Sequence, residues 1–307
     1  MSASTTASPA PFSSSSGPVG LVLLAALLWG TTGTAQHFAP ANLSPYWVGG
    51  LRMAMAALFF IALASVTDGQ NRRPVAPTRW SRLLFCGLCM AVYNLSFFAG
   101  VRACGVALGT ALAIGSGPIW AGLMQAVVQK RMPSPLWWLG TCTCTGVSGG
   151  VVMALASADS QQLPWLGMAL CLLAGMSYAA YALVNQALVL EGQVARVNAW
   201  VFGCAALMSL PLAAWLGGPL HTNASGWAVV VYLGVVATGV AYLLFSMGLR
   251  GMSAATGVAL SKAEPITAFA LSLLVVGERP AWWAALGLLA VIGGLWIVVK
   301  AEREAAA

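Results

Sequence analysis

The stretch LSKAEPITAF, residues 260–269, sets a lysine, a glutamate and a proline inside an apolar run that extends from Met252 to Val276. Lys262 stands about ten residues into that run, which at ~1.5 Å per residue puts it ~15 Å deep in a bilayer. An ionisable group at such a depth costs at least a few kcal/mol and normally faces a partner or a water-filled cavity. The chemistry on offer is recognition of opposite charges, Lys262 for a carboxylate and Glu264 for an ammonium group or a transported proton. Pro265 has no N–H, so the carbonyl of Ser261 loses its helical partner, and the helix is expected to bend or unwind there. In an ideal helix Lys262 and Glu264 point about 200° apart, whereas a local break can turn both toward one space. The competing reading is a structural ion pair of Lys262 with Glu264 or Arg52 that only fixes helix packing.

A second stretch, AIGSGPIW at Ala113–Trp120, has the same proline with two glycines before it and no charge. Gly115, Gly117 and Pro118 therefore offer exposed backbone, and with Pro265 they are the candidate hinges. Interrupted helices at corresponding places in two halves of a chain are a pointer to a binding site between those halves. Trp29, Tyr93, Tyr178, Tyr181 and Tyr242 lie well inside apolar runs, although Trp and Tyr prefer the membrane interface. At depth their polar atoms need partners, and they are candidate substrate contacts for an apolar side chain. Asn94 and Ser116 are candidates of the same kind; for these two, as for Ser96 and Asn185, interhelical hydrogen bonding is the equal alternative. Trp80, Trp137, Trp138, Trp165, Trp282 and Trp283 sit at run ends and read as an interfacial belt. The cysteines, including CGLC at Cys86–Cys89, read as small apolar packing residues, and no metal site or cofactor is expected. His37 and His221 read as interfacial polarity, with proton coupling a secondary role for His37.

These residues need helices to carry them. The chain is 60% hydrophobic and only 7% charged, with a mean hydropathy of +0.85, whereas a soluble domain is about a quarter charged. Turn and charge signals cut it into ten apolar runs near residues 18–37, 44–66, 80–102, 105–128, 134–157, 164–188, 196–216, 226–249, 252–276 and 280–300. Each is close to the ~20 residues that a spanning helix needs. Residues 1–17, opening MSASTTASPAPFSSSS, lack the basic start of a secretory signal and read as a disordered cytoplasmic tail. With the N-terminus inside, the cytoplasmic joins hold ten Lys/Arg and the outer joins only Arg102 and Arg279. Basic residues stay on the cytoplasmic side, so both termini are expected there, in the inner membrane. The net charge of +7 is spread over short loops, which excludes nucleic acid as a partner; the expected partners are the lipid bilayer, a small-molecule substrate and protons.

Shifting the chain by 147 residues lays Ala107–Val152 on Ala254–Val299 without a gap, matching Pro118 with Pro265, Pro133 with Pro280, Gly140 with Gly287 and Gly146 with Gly293. Two halves, 18–157 and 158–307, thus hold five helices each, and an odd number of spans forces the second copy into the membrane upside down. The expected fold class is an all-α integral membrane protein of ten transmembrane helices, in two inverted five-helix repeats around a central cavity. LLWG at Leu27–Gly30, SPYWVGGLR ending at Arg52, the Pro118 helix followed by Gly140, AEP at Ala263–Pro265 and GERP at Gly277–Pro280 together resemble the drug/metabolite transporter superfamily, EamA type, over residues 18–300. Within it the chain most resembles bacterial exporters of aromatic and other amino acids, the YddG type. One departure is QKR at Gln129–Arg131, where the family commonly has a glycine-glutamate pair. The resemblance implies a secondary transporter, not an enzyme, exporting amino acids or similar metabolites by alternating access. An uncoupled facilitator, an exporter of another amphipathic metabolite or drug, a channel and a membrane enzyme are the alternatives, the last weakened by the few and scattered acidic residues.

Overall fold

The computed structural model describes residues 16–40, 42–67, 77–146, 165–277 and 282–306. The expected N-terminal tail up to residue 15, the boundary at 157/158 and Glu278 to Pro280 of GERP lie outside the described residues. Among the described residues all regular structure is helical and no strand occurs. The helices are α1 (Ser16–Gly30), α2 (Thr32–His37), α3 (Pro45–Thr67), α4 (Pro77–Cys104) and α5 (Val106–Val128); then α6 (135–146); then α7 (Trp165–Glu191), α8 (Val194–Leu216), α9 (Ala224–Gly234), α10 (Ala241–Gly248), α11 (Ala254–Leu260), α12 (Glu264–Leu271) and α13 (Trp282–Ala306).

Eight stretches of the described chain are long and apolar enough to cross a membrane. They are α1 with α2, α3, α4, α5, α7, α8, α9 with α10, and α11 with α12. The expected fifth run is described only as far as residue 146, and the expected tenth is helical from Trp282. Three of the spans depart from a regular α-helix for identifiable reasons. The first breaks at Thr31, whose hydroxyl donates to the carbonyl of Leu28 at 2.6 Å and accepts from the Tyr232 hydroxyl at 2.7 Å; such local bonds compete with the helical ladder. Between α9 and α10 the chain widens into a π-helical turn, Val235–Val240, where the Thr238 hydroxyl donates to the carbonyl of Leu233 at 2.7 Å. Between α11 and α12 it tightens into a 3₁₀ turn, Ser261–Ala263, immediately before Pro265.

Helices pack as α3 on α8, α4 on α7 and α8, α5 on α7 and α11, and α1 on α10, α11 and α12. Two glycines set close approaches. A Cβ on Gly30 would come within 2.6 Å of the Thr267 Cβ on α12, and one on Gly140 within 2.8 Å of the carbonyl of Gly294 on α13. The core between helices is aromatic and aliphatic, with Phe60, Tyr181, Phe202 and Phe245 fully buried. Three of its polar members are paired across helices: Asn185 on α7 and Asn198 on α8 each donate to the Ser246 hydroxyl on α10, both at 3.1 Å. In a bilayer a bond of this kind contributes about 0.6 kcal/mol on average.

One end of the bundle collects the basic residues. Arg79 and Arg82 on α4 pair with Glu191 at the end of α7, both at 3.3 Å, and Arg250 donates to the carbonyls of Val189 and Gly192 at 2.8 and 2.9 Å. At the same end the Glu302 carboxylate on α13 accepts from the Ser253 N–H at 2.6 Å and from the Ser253 and Thr256 hydroxyls, capping α11. Trp137, assigned to the interfacial belt by its place in the sequence, is instead buried and donates to the Thr256 hydroxyl at 3.1 Å. Its indole N–H found an acceptor inside the bundle, which is what a tryptophan at depth requires.

The Gly30 contact gives a stability expectation. Gly30→Ala forces α1 away from α12 and should destabilise the protein by about 1–3 kcal/mol, the usual cost of overpacking a close contact. The check is a lower midpoint of thermal unfolding in detergent, with Gly33→Ala, where a Cβ meets nothing within 4 Å, as the neutral control.

Candidate functional site: a cavity in mid-membrane

A cavity of about 90 Å³ lies where the irregular spans meet. The first span supplies Trp29, Thr32 and Gln36; α3 supplies Arg52; α4 supplies Tyr93, Phe97 and Phe98; α5 supplies Ala113 and Ile114. From the second half come Tyr178, Ala237, Tyr242, Val258, Ser261 and Glu264. Seven separate spans therefore contribute, and the lining reaches from Glu264 in mid-span to Gln36 near the end of α2.

The wall is a continuous aromatic cluster. Trp29 meets Tyr242 edge-on at 5.0 Å between ring centroids and Tyr178 at 6.3 Å. Tyr93 lies 5.5 Å from Tyr178, and Tyr181 bridges Tyr178 and Tyr242 at 6.2 and 5.8 Å. These separations are those of favourable ring pairs, so the cluster is held by its own packing before any ligand arrives. The Tyr178 and Tyr181 hydroxyls are shielded from solvent and have no hydrogen-bond partner. An unsatisfied buried hydroxyl costs about 1–3 kcal/mol, which a bound solute or water could relieve.

Of the residues singled out in the sequence, Trp29, Tyr93, Tyr178, Tyr242 and Glu264 line the cavity, while Lys262, Asn94, Ser116 and Tyr181 do not. Lys262 and Glu264 stay separated, as helical spacing alone would have it, and the 3₁₀ turn does not bring them to one space. It ends as α12 begins, and Glu264 faces the cavity with Ser261. Lys262 is buried against α5, its Nζ 3.7 Å from where a Cβ on Gly115 would stand. Among the described residues neither Lys262 nor Arg52 has a carboxylate within 4.0 Å, so the ion pair weighed as an alternative is not formed. Ser116 packs toward Gly175 on α7, and Asn94 lies against Gly49 on α3. The two prolines differ: Pro265 follows the 3₁₀ turn, whereas Pro118 lies inside the uninterrupted α5, with Gly115 and Gly117 in the preceding turn.

Arg52 is the charged lining residue that the sequence brought forward only as an ion-pair partner. Its guanidinium carbon stands 6.0 Å from the centre of the Phe98 ring, a cation–π distance, and its Nε is buried without a hydrogen-bond partner. A signal was present, because Arg52 sits eight residues into a 23-residue apolar helix and intramembrane charges mark functional sites by default. Thr32, Gln36, Phe97, Phe98 and Ser261 carried no such mark. Among the described residues no group of three or more His, Cys, Asp or Glu could hold a metal ion.

Comparison with known proteins bears on what such a cavity serves. The family model described as EamA-like transporter family matches the chain twice, over residues 17–153 and 165–300. An uncharacterized transporter of Bacillus subtilis, YwfM, is 32% identical over 285 residues, covering 92% of this chain and 94% of that protein. A biotin transporter of Salmonella typhimurium is 21% identical over 287 residues, covering 91% and 92%, and an uncharacterized inner membrane transporter of the same organism, YicL, is 24% identical over 299 residues, covering 93% and 96%. One crystal structure superposes with a TM-score of 0.78 at 19% identity, over 94% of this chain and 98% of that one, a likeness of fold alone. These names describe transporters rather than enzymes, and none of them mentions an amino acid.

The lining yields a labelling expectation. In a variant with the native cysteines replaced by serine, Thr32→Cys should react with a small charged methanethiosulfonate, while Ser116→Cys, packed toward α7, should react at least about tenfold more slowly because thiol reactivity follows access. Equal rates would contradict the cavity as drawn.

Proposed function

The chain belongs to the EamA-like transporter family, and we propose that it is a secondary transporter moving small amphipathic carboxylates with a flat apolar body, amino acids among them, out of the cell across the inner membrane by alternating access. The observation that carries this reading is the mid-membrane cavity, in which Arg52 and Glu264 share a space walled by Trp29, Tyr93, Tyr178 and Tyr242. A cation can take a carboxylate, ring faces can take an apolar body, and a carboxylate can take an ammonium group or a proton. The carboxylate-binding role is assigned here to Arg52, which lines the cavity, in place of Lys262, which is turned to α5. The biotin transporters among the relatives fit this solute class, since biotin is a carboxylic acid on a compact ring body.

Ten helices in two inverted halves are part of the proposal. In its support, the family model matches each half separately, and the packing has the exchange pattern that a repeat requires. The contact of α4 with α7 has its counterpart in that of α10 with α1, and the pairings α3 with α8 and α5 with α11 map onto themselves. The basic end formed by Arg79, Arg82 and Arg250 favours both termini in the cytoplasm. Hinge motion is assigned to the Ser261–Ala263 turn with Pro265 and to the Gly115–Pro118 segment of α5, which pack against each other where Lys262 meets Gly115 and Val258 meets Gly117. Glu264 is the candidate proton site, being the carboxylate that lines the cavity.

The test is counterflow in proteoliposomes with labelled amino acids and labelled biotin. A carrier shows saturation and competition, and non-saturating flux without competition would sink the reading in favour of a channel. Glu264→Gln should lose accumulation driven by an imposed pH gradient yet keep solute-for-solute exchange; an unmodified protein indifferent to that gradient leaves the uncoupled facilitator standing. Pro265→Ala regularises the turn and should slow exchange more than it changes affinity, measured as the maximal rate against the half-saturating concentration.

A further inference from the structure

We infer that the solute held in the cavity carries one net negative charge, so that among amphipathic carboxylates this site selects acids without a free ammonium group; the inference rests on the cavity being the transport site. Among the described residues, three Arg, Lys, Asp or Glu side chains lie away from the bundle ends: Arg52, Lys262 and Glu264. Two are bases and one is an acid. If Lys262 and Glu264 are both ionised, the three sum to +1. If the proton passes from Lys262 to Glu264, both are neutral, Arg52 remains, and the sum is again +1. While that pair holds one proton between them the excess is one positive charge whichever of the two holds it, and a second proton taken up at Glu264 raises it.

Nothing in the described chain offsets the excess. No carboxylate lies within 4.0 Å of Arg52, and its Nε is buried without a partner. What lies near it is neutral, the Phe98 ring at 6.0 Å and the Tyr93 hydroxyl. Arg52 lines the cavity, and a guanidinium with a donor left unengaged is a group that receives a carboxylate. While the cavity is open to water the excess charge is hydrated. Alternating access must close it on both sides, and a charge enclosed in a low-dielectric interior is expensive unless it is paired. A zwitterion brings no net charge and leaves the excess in place. A monoanion cancels it, so occlusion is favoured with an anion aboard.

Four probes share one ring and a two-carbon side chain and differ in charge: 3-phenylpropionate, phenylalanine, 3-phenylpropionamide and phenethylamine. Binding of each to the purified full chain in detergent is measured by thermal shift and titration. The expected order places 3-phenylpropionate at least about tenfold tighter than phenylalanine and the neutral amide, the span of a charged hydrogen bond, with phenethylamine weakest. Arg52→Gln should erase the preference for the anion and Arg52→Lys should keep part of it; the order of the four probes on unmodified protein decides the matter should either variant fail to fold. If phenylalanine or phenethylamine binds tightest and Trp29→Ala abolishes that binding, the charge inference falls and the cavity reading stands. If no probe binds, or binding survives both Trp29→Ala and Tyr178→Ala, the two fall together.

Discussion

A bilayer interior supplies no water to buried charges, and the placement of Arg52, Lys262 and Glu264 there governs how the rest of this molecule can be built. Each must meet a partner, a cavity or a polar backbone. Lys262 is packed against the glycine-bearing face of α5, Glu264 opens onto the cavity, and Arg52 leans on the Phe98 ring. None of the three satisfies another by a direct ion pair among the described residues. The surrounding aromatic cluster fits this constraint, because edge-on rings present both apolar bulk and polarised edges to charges that come and go. A wall of leucine would fill the same space and offer nothing to a charge.

The irregular turns follow from the same demand. A straight helix through residues 254–276 would point Lys262 and Glu264 to opposite sides. The 3₁₀ turn keeps that division, with Ser261 and Glu264, three residues apart, lining one space while Lys262 stays behind. In α1 the break at Thr31 lets Trp29 face Tyr178 and Tyr242 while Thr32 and Gln36 continue the lining toward the end of the span. In both cases a hydrogen bond or a proline close to the irregularity accounts for it, as local bends in helices generally require.

Much of this was legible in the residues. Apolar run length identified the spans, and depth within a run identified Trp29, Tyr93, Tyr178, Tyr181 and Tyr242, which packing draws into one cluster. The break before Pro265 follows from the missing N–H. What a run of letters does not carry is azimuth. Lys262 and Glu264 are two residues apart, and which of them meets the cavity depends on a turn of three residues whose winding the neighbours decide. Pro118 was expected to interrupt its helix as Pro265 does, yet α5 continues through it, held on its two sides by α7 and α11. Trp137 looked interfacial because it opens a helix, and only the position of Thr256, 119 residues away, reveals its acceptor.

The cap on α11 has a consequence for how the protein is made. Ser253 and Thr256 open the helix that leads to Glu264, and the carboxylate that ties down their N–H and hydroxyl groups belongs to Glu302, 49 residues later in the chain. During synthesis the ninth span therefore enters the membrane before the group that fixes its start exists. Until the last turns of α13 have emerged and folded back, the Lys262–Glu264 segment is held by its neighbours on α1, α5 and α7 without the cap that fixes the start of α11. The aromatic wall of Trp29, Tyr93, Tyr178 and Tyr242 is thus complete in the chain before Glu264 is made, while the start of the helix that carries Glu264 is fixed only when Glu302 follows.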